Sequence, residues 1–178
     1  MSRERAYFAT GCFWGAERRF WKLDGVLETS VGYMGGTTSN PSYEEVCTGR
    51  TGHAEMVSVE FDPAVISYQR LLKEFWEMHD PTSLNQQGGD IGTQYRSAIY
   101  TTSAEQLNQA LSSKDIYQKE LSNNGMDPIV TEISPASGMT YWLAEEYHQK
   151  YLIKNPNGYD CHSSTGVAYP LIVSSAHE

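Results

Sequence analysis

Residues 26–34 and 53–62 both have strand character, yet no helical stretch separates them. Between them, residues 37–52 are rich in Thr, Ser, Asn, Pro and Gly, which is loop composition. Loops of that length are usually functional. Neighbouring parallel strands need a crossover, most often a helix. A purely parallel, doubly wound sheet therefore fits poorly, although strands and helices alternate elsewhere. The expected fold is α+β, a two-layer sandwich with a mixed sheet.

Residues 5–10 are short and strand-like, and residues 16–22 read as a helix with Phe20 and Trp21 facing inward. Alternation over 53–62 puts Glu55, Val57, Val59 and Phe61 on one face. Ser67 caps a helix whose Tyr68, Leu71, Leu72, Phe75 and Trp76 form a core-facing stripe, ending at Asp80-Pro81. A second polar, glycine-containing loop covers 82–96, and residues 97–101 return as a strand. Ser103 and Gln106 have capping-box spacing for a helix running to about Asn123. One more strand is expected at 129–133 and a last helix at 141–154, with Leu143, Tyr147, Tyr151 and Leu152 inward. Residues 155–178 have no periodicity and are expected to form an irregular, mobile tail that can move Cys161. No repeat or linker divides the chain, and its 178 residues suit a single domain spanning 1–178. A domain of that size buries roughly 70% of its unfolded surface without disulfides.

Gly11-Cys12-Phe13-Trp14-Gly15 puts a cysteine at a strand-to-helix turn. Free N–H groups and the helix dipole favour an anion there, so the thiolate is stabilised and the thiol pKa is expected to fall. The bland alternative is a small buried hydrophobe, as free cysteine often is. The flanking glycines weigh against it, since they allow a ligand close to the backbone. Glu55 ends an apolar row. If that face is buried, desolvation raises its pKa toward what a general acid needs; otherwise it is a strand-end glutamate reaching solvent.

Three cysteines, Cys12, Cys47 and Cys161, without Cys-x-x-Cys spacing argue against a secreted disulfide framework and a structural zinc site. The first residues lead into no apolar run of signal-peptide or membrane-span length, so a cytoplasmic location is expected. A net charge of -9 disfavours nucleic acid as a partner. Nothing in the sequence demands more than a monomer.

Other chemistries compete for Cys12. Cys12 and Arg18 have the Cys-x5-Arg spacing of a low-molecular-weight phosphatase, with Asp-Pro pairs at Asp62-Pro63, Asp80-Pro81 and Asp127-Pro128. A phosphate cradle needs small residues, whereas Phe13, Trp14 and Glu17 are bulky or repulsive. His53-Ala54-Glu55 copies the His-x-Glu of zinc deaminases, but no Pro-Cys-x-x-Cys completes the ligands. A Cys-His acyl-transfer site would need His148 or His162 as base. His148 lies beside core aromatics and reads more simply as a structural, hydrogen-bonded histidine.

Gly-Cys-Phe-Trp-Gly at this position resembles the active-site signature of the type A peptide methionine sulfoxide reductases. Further blocks resemble the same family: Tyr43 and Val46-Cys47-Thr48-Gly49-Arg50-Thr51-Gly52-His53-Ala54-Glu55; Asp90-Ile91-Gly92-Thr93-Gln94-Tyr95-Arg96-Ser97; and Glu146-Tyr147-His148-Gln149-Lys150-Tyr151-Leu152. The likeness runs from Tyr7 to Pro170. It implies a ferredoxin-like α-β plait with the tail wrapped outside, and reduction of methionine-S-sulfoxide, free or in peptides and oxidised proteins, without a cofactor or metal. The matching positions imply Cys12 as nucleophile, Glu55 as proton donor, and Tyr43 and Tyr95 as donors to the sulfoxide oxygen. Asp90 is the ordering carboxylate, and Phe13 and Trp14 form the pocket for the substrate methyl group. The resemblance further implies a Cys12 sulfenic acid, then a disulfide with a second thiol, for which Cys161 is the candidate, and thioredoxin as reductant. Cys47 reads as a structural thiol. A small domain that only binds oxidised or Met-rich segments is the non-enzymatic alternative.

Overall fold

The structure, a computed structural model, describes residues 2–160 and 163–171. In chain order its elements are β1 (Glu4–Thr10), α1 (Phe13–Trp21), β2 (Val26–Met34), α2 (Tyr43–Cys47), β3 (Ala54–Phe61), α3 (Tyr68–Glu77), β4 (Gln86–Gln87), β5 (Asp90–Ile91), β6 (Ser97–Thr101), α4 (Ala104–Asn123), β7 (Glu132–Pro135), β8 (Trp142–Leu143) and α5 (Tyr151–Lys154). Two single 3₁₀ turns, Thr93–Tyr95 and Glu146–His148, complete the set.

Six strands form one mixed sheet in the order β7-β6-β1-β3-β2-β8. Only β6 and β7 are parallel, and α4 connects them, as a parallel pair requires. The other neighbours are antiparallel. The fold is thus α+β with a large mixed sheet. β3 lies between β1 and β2 and is buried on both faces. Val57, Val59 and Phe61 enter the main core with Phe20, Leu71, Leu72 and Phe75. Ala54 and Met56 enter a smaller cluster on the opposite face, against which Tyr7, Met139 and Tyr141 pack. Phe8 stacks on Phe20 at 5.0 Å and meets Phe75 at 5.4 Å, tying β1 to α1 and α3. Each fully buried side chain of this kind contributes about 1.5–3 kcal/mol by removal from water.

The expected helices over 68–77 and 104–123 are present. Ser67 Oγ accepts from the Arg70 N–H at 3.0 Å and Ser103 Oγ from Gln106 N–H at 3.1 Å. Gln106 does not complete a box. Its amide accepts from Thr102 N–H and donates to the Arg5 carbonyl, stapling α4 to β1. The 37–52 segment is not wholly irregular, because Ser42 and Glu45 form a reciprocal capping box that starts α2.

Three expectations need correction. No helix spans 141–154: β8, a 3₁₀ turn and α5 replace it, with Leu143 65% and Tyr147 63% exposed. Tertiary bonds compete for this backbone. Ala144 N–H donates to Val31 O at 3.0 Å, Lys150 N–H donates to Glu17 Oε1 at 2.9 Å, and Lys150 itself is left-handed at φ 51°. Trp21 is only half-buried: it is the last residue of α1 and lies about 100° around the helix from Phe20, which takes the core-facing position. The 129–133 strand is shifted to Glu132–Pro135 because Ile129 N–H donates to the Gln118 side chain and Val130 N–H to the Pro81 carbonyl.

Among the described residues, the segment after α5 has no helix or strand. It docks on α3 and α4: Tyr117 donates to Val167 O at 2.7 Å, and Tyr169 N–H donates to Glu77 Oε2 at 2.8 Å.

Candidate active site

Cys12 caps the N-terminus of α1, where the chain leaves β1 through Gly11. Gly11 has φ 103°, and a Cβ there would lie 2.8 Å from Gln87 Cβ, so the turn needs glycine twice over. The amides of Trp14 and Gly15 favour the Cys12 thiolate, as the helix-terminus argument anticipates. They are outweighed. Burial pushes the thiol well above its ordinary range, and the nearby Glu55 carboxyl adds to the effect. Cys12 at rest is a protonated thiol, which corrects the expected fall in its pKa.

Glu55 sits near the start of β3 and is 1% exposed. Its Oε1 accepts from the Phe13 N–H at 3.2 Å, and its buried Oε2 has no partner among the described residues. Burial raises the carboxyl to about 8, helped by Asp90 and opposed by the Phe13 amide. Of the two readings of Glu55, the buried one holds.

Tyr43 opens α2, and its N–H donates to Glu145 Oε2 at 2.9 Å. The other Glu145 oxygen accepts from Tyr33 Oη at 2.8 Å. The Tyr43 hydroxyl is hydrogen-bonded to Cys47, so Cys47 stands at the rim of this site, a free and exposed thiol. Tyr95 closes the first 3₁₀ turn. Burial, reinforced by Glu55, pushes both phenols up, so both remain hydrogen-bond donors at any physiological pH. Asp90, on β5, accepts from Tyr159 Oη at 2.9 Å, and its charge acts on Cys12, Glu55 and Tyr95. The fold thus gathers Cys12, Glu55, Tyr43, Tyr95 and Asp90 from five separate elements. Cys161 lies outside the described residues.

An aromatic wall flanks these groups. Phe13 is buried, its ring 5.8 Å from Tyr33 and 5.4 Å from His148. Trp14 is half-buried, stacks on Tyr151 at 3.8 Å, and donates through Nε1 to His148 Nδ1 at 3.1 Å. His148 is neutral in this role: burial lowers its pKa against the opposite pull of Glu145. Its ring also lies 4.4 Å from Tyr43. Sequence reasoning missed Glu145 and Tyr151 beside the site. Tyr151 lies in the 146–152 block, obscured by reading that stretch as a core helix, and Glu145 just before it, whereas His148 is the hydrogen-bonded histidine expected.

The phosphatase and metal readings find no support among the described residues, and His162, the other candidate base for acyl transfer, lies outside them. The Arg18 and Arg19 guanidiniums pair with Asp160. His53 accepts from Gly36 N–H at Nδ1, 2.9 Å, and places Nε2 2.7 Å from Thr38 O, so both ring nitrogens are engaged in the fold. Among the described residues no cluster of three or more His, Cys, Asp or Glu is placed to hold a metal ion, and no helix is long and apolar enough to cross a membrane.

Comparison with known proteins agrees with this geometry. A protein from Streptomyces griseus described as peptide methionine sulfoxide reductase MsrA is 58% identical over 173 residues, covering 97% of this chain and 78% of the relative. The human mitochondrial peptide methionine sulfoxide reductase is 58% identical over 168 residues, covering 94% and 71%. The solved methionine sulfoxide reductase A of Corynebacterium diphtheriae superposes with a TM-score of 0.86 at 47% identity, covering 96% of this chain and 84% of that one. The family profile for peptide methionine sulfoxide reductase matches residues 4–174. With the thiol, the buried acid and the aromatic wall assembled in one place, the chain belongs to the peptide methionine sulfoxide reductase family.

Proposed function

We propose that this chain reduces the S epimer of methionine sulfoxide, free or within a polypeptide, with Cys12 as nucleophile and Glu55 as proton donor. The observation that carries this reading is the unpartnered, buried Glu55 Oε2 beside a thiol at a helix N-terminus. At neutral pH Glu55 holds its proton, so the sulfoxide oxygen binds to a carboxyl that donates. Tyr43 and Tyr95 donate to the same oxygen as it gains negative character, and burial keeps their protons in place. Trp14 and Phe13 accept the substrate methyl group against aromatic surface. Asp90 orders the surrounding groups.

Cys12 sulfur attacks the sulfoxide sulfur. Glu55 gives its proton to the oxygen and takes one from the Cys12 thiol, so the carboxyl is restored. The hydroxyl then passes to the Cys12 sulfur as the sulfoxide S–O bond and the transient bond between the two sulfurs break, so methionine leaves with two electrons gained and Cys12 is left as the sulfenic acid. The Cys161 thiol then displaces the oxygen as water and forms the Cys12–Cys161 disulfide. Thioredoxin reduces that disulfide and the cycle restarts.

The β1-α1-β2-β3-α3-β6 succession, with these four strands ordered β6-β1-β3-β2, supports a ferredoxin-like plait as the core of a single domain covering 1–178, with 155–178 as the tail that carries the recycling cysteine. A cycle that starts from thiols suits a reducing compartment, with a monomer in the cytoplasm as the proposed state.

The test mixes the reduced protein with racemic methionine sulfoxide, follows each epimer by chiral chromatography, and counts protein thiols. Consumption of the S epimer alone, with two thiols lost per methionine formed, is the expected result. Cys161→Ser should complete one turnover and then stall with thioredoxin. No consumption, or consumption that survives Cys12→Ser, overturns the reading.

A further inference from the structure

The chain on either side of residues 161–162 is tied to groups that flank Cys12. Before them, the Asp160 carboxylate is bridged by two guanidiniums from α1. Arg18 Nη2 pairs with Oδ2, and Arg19 Nη1 lies 3.2 Å from Oδ1 and 3.5 Å from Oδ2. Arg19 Nη1 also donates to the Gly15 carbonyl at 3.1 Å. A Cβ on Gly15 would overlap Asp160 Oδ1, so the carboxylate approaches the helix backbone as closely as glycine alone permits. Gly15, where the carboxylate sits, is about one helical turn along α1 from Cys12. Tyr159 donates to Asp90 Oδ1 at 2.9 Å. Beyond the pair, Ser163 Oγ donates to Gln87 Oε1 at 3.2 Å, and Gln87 packs against Gly11.

We propose that Arg18, Arg19 and Asp160 are positioning residues for the recycling step: the two arginines hold Asp160 against Gly15 and so present the neighbouring chain to the Cys12 sulfenic acid. The inference rests on the reading of Cys161 as the recycling thiol. The step served is Cys12–SOH plus Cys161–SH giving Cys12–S–S–Cys161 plus water. The S–O bond breaks, the S–S bond forms, and the thiol proton leaves with the oxygen. It needs no outside oxidant, since the sulfoxide has already oxidised Cys12. Its rate depends on how often the two sulfurs meet, which is what tethering raises. Charge-assisted pairing suits the task because it is stronger than a neutral hydrogen bond and directional. Gly15 then has a role apart from catalysis, as the seat of the carboxylate.

Asp160→Asn keeps the size and removes the charge. Reduced enzyme is mixed with methionine sulfoxide without added reductant, methionine is measured by rapid quench, and thiol loss and dimedone-trapped Cys12 sulfenic acid are followed in parallel. The methionine burst should match wild type, while loss of the second thiol slows about tenfold, the effect of about 1.4 kcal/mol. Dimedone adduct, fleeting in wild type, should accumulate. Arg18→Gln with Arg19→Gln should reproduce the effect, and adding Asp160→Asn to them should add little, as expected of residues acting as a unit. High salt should slow the second step in wild type and leave Asp160→Asn unchanged. Disulfide formation at the wild-type rate in both variants overturns the proposal, and so does a burst that falls by the same factor as the second step, which marks a general structural role. Cys161→Ser separates the two levels: if it loses its second thiol like wild type, the recycling reading itself fails.

Discussion

The Phe13 N–H, in the first turn of α1, holds Glu55 Oε1 at 3.2 Å, so the proposed acid is fixed to the helix whose N-terminus Cys12 caps. The bond leaves the second oxygen facing the site. Since Glu55 keeps its proton up to about pH 8, the methionine burst should be steady near neutrality and fall as pH rises beyond that value. Rapid-quench bursts between pH 6 and 10 check this, and a burst that quickens across the range would remove Glu55 as proton donor. Glu55→Gln should slow the burst by roughly 10²–10⁴.

The same carboxyl makes folding pH-dependent. Unfolded, Glu55 ionises near the ordinary carboxylate value of 4.5; folded, it does so at about 8. Between these values the folded state binds more protons, so stability falls as pH rises through the window. Glu55→Gln removes this loss and at pH 9 should be more stable than wild type by at least about 1 kcal/mol, melting at a higher temperature. Melting curves at pH 5 and pH 9 decide it: an unchanged difference between the two proteins would contradict the burial argument.

Glu55 also opposes ionisation of Cys12. At pH 9, where the carboxyl is charged, Glu55→Gln should therefore speed alkylation of Cys12 by iodoacetamide, about tenfold for each pKa unit recovered. Peptide mapping of the alkylated protein reads the rate directly. A slower reaction in the variant would show that the charge of Glu55 does not disfavour the Cys12 thiolate.

Much of this was legible in the sequence. The apolar stripe from Tyr68 to Trp76, the Ser103 start of the helix running to Asn123 and the alternation around Val57 and Val59 are local signals, and the structure confirms them. The strap from Trp142 to Lys154 was not legible, because its conformation is set by partners such as Val31 and Glu17, more than 100 residues away in sequence. The high thiol pKa was hidden for a related reason. The helix N-terminus is visible in the sequence, whereas the depth at which Cys12 is buried depends on β3 and on the 82–96 loop.

Glu17 anchors that strap. It is fully buried, accepts from Lys150 N–H at 2.9 Å and Lys150 Nζ at 3.0 Å, and takes the Thr29 hydroxyl at 2.7 Å. Glu17→Ala should cost about 2 kcal/mol, below the figure for a fully buried pair because Lys150 stays partly solvated. By loosening His148 and Tyr151 behind Trp14 it should also raise KM severalfold while kcat changes less. Thermal melts and steady-state kinetics test both. A fall in kcat at constant KM would place Glu17 in the chemistry and not behind the pocket wall.

The central place of β3 has a consequence for order of loss on heating. Paired along its length by β1 and β2, this strand opens only when the whole domain does, and its amides should be among the slowest to exchange with deuterium. The segment after α5 has no sheet or helix pairing among the described residues and is held by side-chain contacts, the Asp160 pairs included, so it should open at lower free energy. Warming should therefore uncouple the enzyme in two stages. Turnover driven by thioredoxin fails first, while oxygen transfer from substrate to Cys12 persists until the sheet itself melts.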